Sequence, residues 1–221
     1  DAYHQAGRLS ESETLFLEAE RLQEDDRQEL SLIAAMRCFY HCELLLAQRD
    51  HQGVIKRATE ALERVKGNKS PLDIAACHLS LGRAHLHRAR AEGTNAREVS
   101  QEHLDQAVDA LRESRAQSFI PYGLLARAEL YLFTGDHAEA RAALNEAMDI
   151  ATRDPQGHMK LFVTDCHLGY ARLALAEKKP EVARDELTKA RGLIKETGYH
   201  RRDAELTELE NAAEGPRDPD A

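Results

Sequence analysis

Eleven histidines and four cysteines in 221 residues are the side chains here that could hold a metal or act as nucleophiles. Cys38, His41 and Cys42 fall within about one helical turn, and the two cysteines share a helix face by their i,i+4 spacing. Two thiolates and an imidazole so placed could begin a zinc site. The same cysteines also occupy places that the repeat described below gives to packing, and free cysteine is commonly buried as a small hydrophobe. Packing is therefore the reading we take. Cys77-His78 and Cys166-His167 recur at equivalent repeat positions, which points to a shared packing role. His85 and His87 stand about 200° apart around a helix and cannot readily chelate one ion. One is expected in the core and the other on a concave face. Cys–His nucleophilic catalysis needs an oriented pair and an oxyanion site, and no cysteine lies in such a motif. We expect no catalytic residue, no metal site and no cofactor.

Other chemistries are excluded more simply. The twelve glycines form neither a Gly-x-Gly-x-x-Gly nor a Gly-Lys-Ser/Thr phosphate cradle. Arg83, Arg88 and Arg90, and also His200-Arg201-Arg202, have acidic residues nearby and read as solvated faces. A net charge of −9, without basic patches interleaved with aromatics, argues against nucleic acid as a partner. No apolar run approaches the ~18 residues of a membrane span, and no signal-peptide pattern opens the chain. Cysteines inside helices, in a chain of this size, suit a reducing cytoplasm.

The elements that must position these residues are helices. Ala, Leu, Glu and Arg dominate the chain, and they lose least on entering a helix. Four segments repeat one helix–turn–helix plan: Tyr3-Gly7-Leu9-Ser12-Phe16-Ala19, Leu45-Arg49-His51-Val54-Ala58-Ala61, Tyr131-Gly135-His137-Ala140-Leu144-Ala147 and Ala174-Lys178-Pro180-Ala183-Leu187-Ala190. In each set the offsets from the first residue are 4, 6, 9, 13 and 16. Small residues at fixed places let two antiparallel helices approach, while larger apolar ones fill the space beside them. Gly7 and Gly135 stand where a left-handed C-cap would end a first helix. Leu81-Gly82 and His85 supply the front half of a fifth unit, and His103, Ala107 and Ala110 its second half. Nine extra residues, around Gly93-Thr94-Asn95, separate the two halves.

This pattern resembles the tetratricopeptide repeat family over nearly the whole chain, from Asp1 to about Gly198. The units depart from its regular length: successive reference alanines (Ala19, Ala61, Ala110, Ala147, Ala190) are 42, 49, 37 and 43 residues apart, against about 34 in the standard repeat. Cys38, His78, Leu124 and His167 take the place of the family's Trp. The resemblance implies an all-α fold, a right-handed superhelical solenoid of antiparallel helix pairs with about five units and a C-terminal capping helix. Helices are expected at 9–24, 27–48, 51–66, 71–92, 96–116, 119–134, 137–153, 157–178, 181–197 and 202–213. Breaks are expected at Asn68-Lys69-Ser70-Pro71, Gly93-Thr94-Asn95, Asp154-Pro155-Gln156-Gly157 and Thr197-Gly198. The repeat domain spans 1–213, with its first helix represented only by its end, and 214–221 form a frayed tail. More repeats or another domain are expected before Asp1. The closing motif Gly198-Tyr199-His200-Arg201-Arg202-Asp203 is similar to the end of repeat arrays attached to bacterial STAND-type signalling ATPases.

In stacked helix pairs the first helices line the concave surface. The repeat register places Phe39, Glu43, Arg83, His87, Tyr122, Glu129, Phe133 and Arg172 there. Apolar anchors among mixed charges suit a helix or extended peptide laid in a groove. The expected function is a non-catalytic scaffold that binds a protein or peptide, as part of a larger regulatory protein. The alternative is the sensor arm of a STAND-type ATPase or transcription regulator.

Overall fold

The computed structural model describes residues 1–25, 31–65, 67, 70–95, 97–153 and 159–215. Every regular element among them is helical. In chain order these are α1 (Ala2–Gln5), α2 (Leu9–Asp25), α3 (Ser31–Ala47), α4 (His51–Val65), α5 (Pro71–Glu92) and α6 (Arg97–Glu113). They continue with α7 (Ile120–Thr134), α8 (His137–Thr152), α9 (Lys160–Ala176), α10 (Pro180–Thr197) and α11 (Asp203–Glu214). Tight 3-10 turns at Gln117–Phe119 and His200–Arg202 lead into α7 and α11.

The repeated register has a backbone cause. Gly7, Arg49, Gly93, Gly135 and Lys178 end the first helices of the five pairs, and all carry positive φ, between 59° and 81°. In each case the next amide donates to the carbonyl five residues back: Arg8 to Tyr3, Asp50 to Leu45, Thr94 to Ala89, Asp136 to Tyr131 and Lys179 to Ala174. This is the Schellman closure, which satisfies carbonyls that the helix end would otherwise orphan. It reverses the chain within two residues, so the second helix folds back on the first. Val54, Ala58, Ala140, Leu144, Ala147, Ala183, Leu187 and Ala190 are then buried, as their shared offsets require.

The extra length of the third pair lies partly in α5, which has 22 residues, while α6, with 17, is no longer than α2 or α10. Counted from His85, the turn falls at Gly93, one helical turn later than elsewhere, and α6 starts early at Arg97. At the other end α6 stops at Glu113, because Arg115 takes positive φ of 56° before the 3-10 turn. The expected breaks at Asn68-Lys69 and Asp154–Gly157, the helix starts expected at 27 and 157, and the tail at 216–221 lie outside the described residues.

The helices form two layers. In the inner one α3 packs on α5, α5 on α7, α7 on α9, and α9 on α11. The second helices α4, α6, α8 and α10 each pack between two consecutive first helices rather than on one another. A layer whose members touch, inside a layer whose members are spread apart, makes a curved solenoid with the first helices on its inner side. Close approach within a pair rests on small residues: a methyl at Gly82 would stand 2.7 Å from Cγ and Cδ2 of Leu104 on α6. The curvature is strong enough that the two ends meet. The His200–Arg202 turn packs on α1, where a Cβ at Gly7 would be 3.5 Å from the His200 carbonyl. Helix α11 caps the last pair through buried Leu206 and Ala213, against the cluster that holds Leu187 and Ile194.

Candidate functional site

Six of the eight residues projected onto the concave face, Glu43, Arg83, His87, Tyr122, Glu129 and Arg172, line one cavity on the inner side of the array. They come from α3, α5, α7 and α9, so the stacking of first helices alone brings them together. Phe39 is 2% exposed. It packs edge-on against Tyr40 and Tyr122 in a core cluster with Leu79 and Leu86, and so supports the inner wall from behind. Phe133 is 38% exposed and carries the Arg90 guanidinium 5.4 Å above its ring.

The rest of the polar lining comes from residues that sequence reasoning did not place there: Asp165 on α9, and Arg201, Arg202 and Glu205 at the closing turn and α11. The expectation that His200-Arg201-Arg202 forms a solvated face is corrected for both arginines. Arg201 keeps only 11% of its side chain exposed and reaches Glu43, with Nη2 3.4 Å from Oε2. Arg202 donates from Nε to Asp165 at 2.7 Å and from Nη1 to Glu205 at 2.9 Å. Arg83, read from its neighbours as part of a solvated face, keeps only 14% of its side chain exposed and is ion-paired to Glu43. The Gly198–Asp203 motif was visible in the sequence, but its acidic partners lie up to 158 residues away.

The cavity is electrostatically tight. Burial alone would raise the Glu43 pKa, but Arg83 and Arg201 outweigh it and hold the carboxyl at about 2. Glu129 is also kept well below the usual carboxylate range: burial opposes ionisation, and His87, Arg90 and Arg172 overcome it. Glu205 is lowered against burial by Arg172 and Arg202. These carboxylates remain ionised at neutral pH because their counterions are beside them. The His87 Nε2 stands 3.4 Å from Glu129 Oε1, an ion contact when the ring is protonated. Tyr199, 3% exposed, donates its hydroxyl to Asp165 at 3.1 Å.

The cysteines and other histidines are placed differently. Cys38 Sγ and Cys42 Sγ are 4.0 Å apart, packed among Val54, Ala58 and Leu81. His41 stacks on Phe16 instead, with ring centroids 5.2 Å apart. His85 stacks on His103 at 5.8 Å, whose Nδ1 lies 2.9 Å from that of His78. Among the described residues no three His, Cys, Asp or Glu side chains form a group suited to a metal ion. The contact with Cys38 and burial push the Cys42 thiol well up, and burial first of all pushes Cys77 to about 12 and raises Cys166. Protonated thiols are poor nucleophiles and poor ligands.

Curved arrays of paired helices with a residue-lined inner face define the class of helical-repeat solenoids. The comparisons narrow this only over part of the chain: the model of a family described as anaphase-promoting complex subunit 5 matches residues 85–168. That stretch runs from α5 into α9 and includes the inner-face positions Tyr122 and Glu129. No curated protein and no solved structure matches the chain. No described helix is long and apolar enough to cross a membrane.

Proposed function

We propose that this chain is a non-catalytic protein-interaction scaffold of the tetratricopeptide type, holding a partner segment at its inner face. The observation that carries the reading is the convergence of Glu43, Arg83, His87, Tyr122, Glu129 and Arg172 on one cavity from four separate helices. A rigid concave surface pre-orients a few anchors, and a few anchors dominate binding energy. The cavity measures about 130 Å³, well below the ~300–1,000 Å³ of sites that swallow a drug-sized ligand. A partner therefore lies across the inner face, beside Glu129 and the Arg90 that pairs with it, and inserts a single side chain. The partly matching family is described as a subunit of a complex, which agrees with a role exercised through protein contacts. The protonated, buried thiols favour packing over catalysis. None of the four cysteines is in a disulfide, which suits a reducing compartment such as the cytoplasm.

Arg83 is a poor place for charge reversal, because a carboxylate there would face Glu43. Phe133→Ala combined with Arg172→Gln alters the residues projected onto the inner face without that defect. Capture from native extract, with the full-length protein as bait, should lose its specific partners in this double variant while helix content stays unchanged. An Arg112→Gln control on the outer layer should lose none. Identical partner sets for the double variant and the wild type would remove the inner-face assignment.

A second reading makes the array the sensor arm of a STAND-type ATPase or transcription regulator. It is favoured by the Gly198–Asp203 motif, because the residues that carry that resemblance are those that close the array onto α1. The gene sequence upstream of Asp1 decides it, through the presence or absence of a nucleotide-binding module.

A further inference from the structure

We infer that the inner cavity is a binding site for one compact oxyanion, a phosphate or carboxylate group, held by arginines from three parts of the fold. The basis is a count of donors against acceptors. Glu43 uses both oxygens, on Arg83 and Arg201. Asp165 uses both, on Arg202 and Tyr199. Glu205 uses both, on Arg172 and Arg202. Glu129 takes Arg90 and the His87 contact on one oxygen. Seven of the eight carboxylate oxygens are thus occupied from inside the protein.

The donor side is not exhausted. Each guanidinium has five N–H groups in a fixed fork. Arg83, Arg172 and Arg201 each direct one nitrogen to a carboxylate, and Arg202 directs two. Their remaining nitrogens have no protein acceptor, and none of them is among the buried atoms left without a partner. They are therefore reached by solvent, on side chains that line the cavity. In the lining four guanidiniums face four carboxylates, and Arg90 reaches the group from outside it through Glu129, so anion recognition rests on the spare N–H groups. A small, partly desolvated space with spare guanidinium N–H groups recognises a planar or tetrahedral oxyanion. About 130 Å³ admits such a group with some water and excludes a folded or bulky ligand.

The inference stands on the cavity and does not need the scaffold reading, since a free ion and an acidic side chain of a partner present the same group. Isothermal titration of the intact wild-type protein at low chloride tests it with two probes, inorganic phosphate and a short peptide carrying one phosphoserine. We expect saturable one-to-one binding with a Kd at or below about 1 mM. Arg172→Gln should weaken it at least about tenfold, because Arg172 is partly exposed and its loss leaves Glu205 paired to Arg202. Arg112→Gln, on the outer layer, should bind as the wild type does. Binding of phosphate alone, or of both probes equally, supports a free-ion site. Tighter binding of the peptide supports the same site filled by a partner. Absence of saturable binding of either probe to the folded wild type, or an unchanged Kd in Arg172→Gln, overturns the inference even if partner capture succeeds.

Discussion

Arg201, in the last turn of the chain, is ion-paired to Glu43 on α3, with Nη2 3.4 Å from Oε2. The contact spans 158 residues and joins the end of the solenoid to its beginning. Its loss should loosen that closure without unfolding the array. Arg83 stays beside Glu43, so the buried carboxylate keeps one counterion. We therefore expect Arg201→Ala to cost about 1–2 kcal/mol in urea unfolding, nearer one charged hydrogen bond than a broken buried pair. Hydrogen exchange should rise at Tyr3–Gly7, where the turn rests on α1, and stay unchanged in α7 and α8. Unaltered exchange at α1 would show that the pair does not close the array.

His4 gives the closure a pH dependence. Its ring is buried, and neither nitrogen has a hydrogen-bond partner. Burial first, then Arg201, lowers its pKa from 6.5 to about 4. The unfolded chain therefore binds the proton more readily than the folded one between these values, and stability rises with pH across that window. The neutral ring's full contribution is present above pH 6.5 and is lost as pH falls toward 4, a difference on the order of 3 kcal/mol. His51, His85 and His103 are lowered too, mainly by burial, so the measurement must be a difference. Subtracting the stability curve of His4→Phe from that of the wild type should leave a slope between pH 6.5 and 4. A flat difference would count against a buried neutral His4.

The five pair turns are alike in geometry but not in residue type, and Lys178 shows the cost. It has φ of 59° where Gly135 has 81° in the preceding pair. A side chain in the left-handed region costs about 1–2 kcal/mol relative to its preferred conformations, and glycine is spared this. Glycine also loses more chain entropy on folding, which offsets part of the gain. Lys178→Gly should therefore stabilise the protein by about 0.5–1 kcal/mol, with the same sign for Arg49→Gly at φ of 64°. Thermal unfolding of the two variants checks this, and a lower midpoint for both would refute the shared-turn account.

These turns also explain what was legible in the sequence. The offsets 4, 6, 9, 13 and 16 are local consequences of one Schellman turn and one helix pair, so they survive the replacement of Gly by Arg49 or Lys178. Helix bounds and the Glu43–Arg172 side of the cavity followed from that register. Phe39 did not, because the extent of its burial is set by Tyr122 on α7 rather than by α3 alone. Arg201, Arg202 and Glu205 were not legible as inner-face residues, since only the accumulated curvature of five pairs carries the last turn back to α1. No periodicity within one repeat encodes that closure.

Gly82 tests the packing that produces the curvature. Helix propensity alone predicts that Gly82→Ala, inside α5, gains about 0.5–1 kcal/mol. The structure predicts the reverse. The new methyl would meet Leu104 Cγ and Cδ2 at 2.7 Å and the Ser100 carbonyl at 3.2 Å. Leu104 is fully buried, and Cγ is not the free end of its side chain. Moving it pushes α6 away from α5 or forces a strained rotamer, which costs about 1–3 kcal/mol. We expect a net loss of about 1 kcal/mol in urea unfolding. Leu104→Ala in the Gly82→Ala background should remove the clash, so that the two substitutions together cost less than the sum of their separate effects. Strict additivity would mean that Gly82 and Leu104 do not set the spacing of α5 and α6.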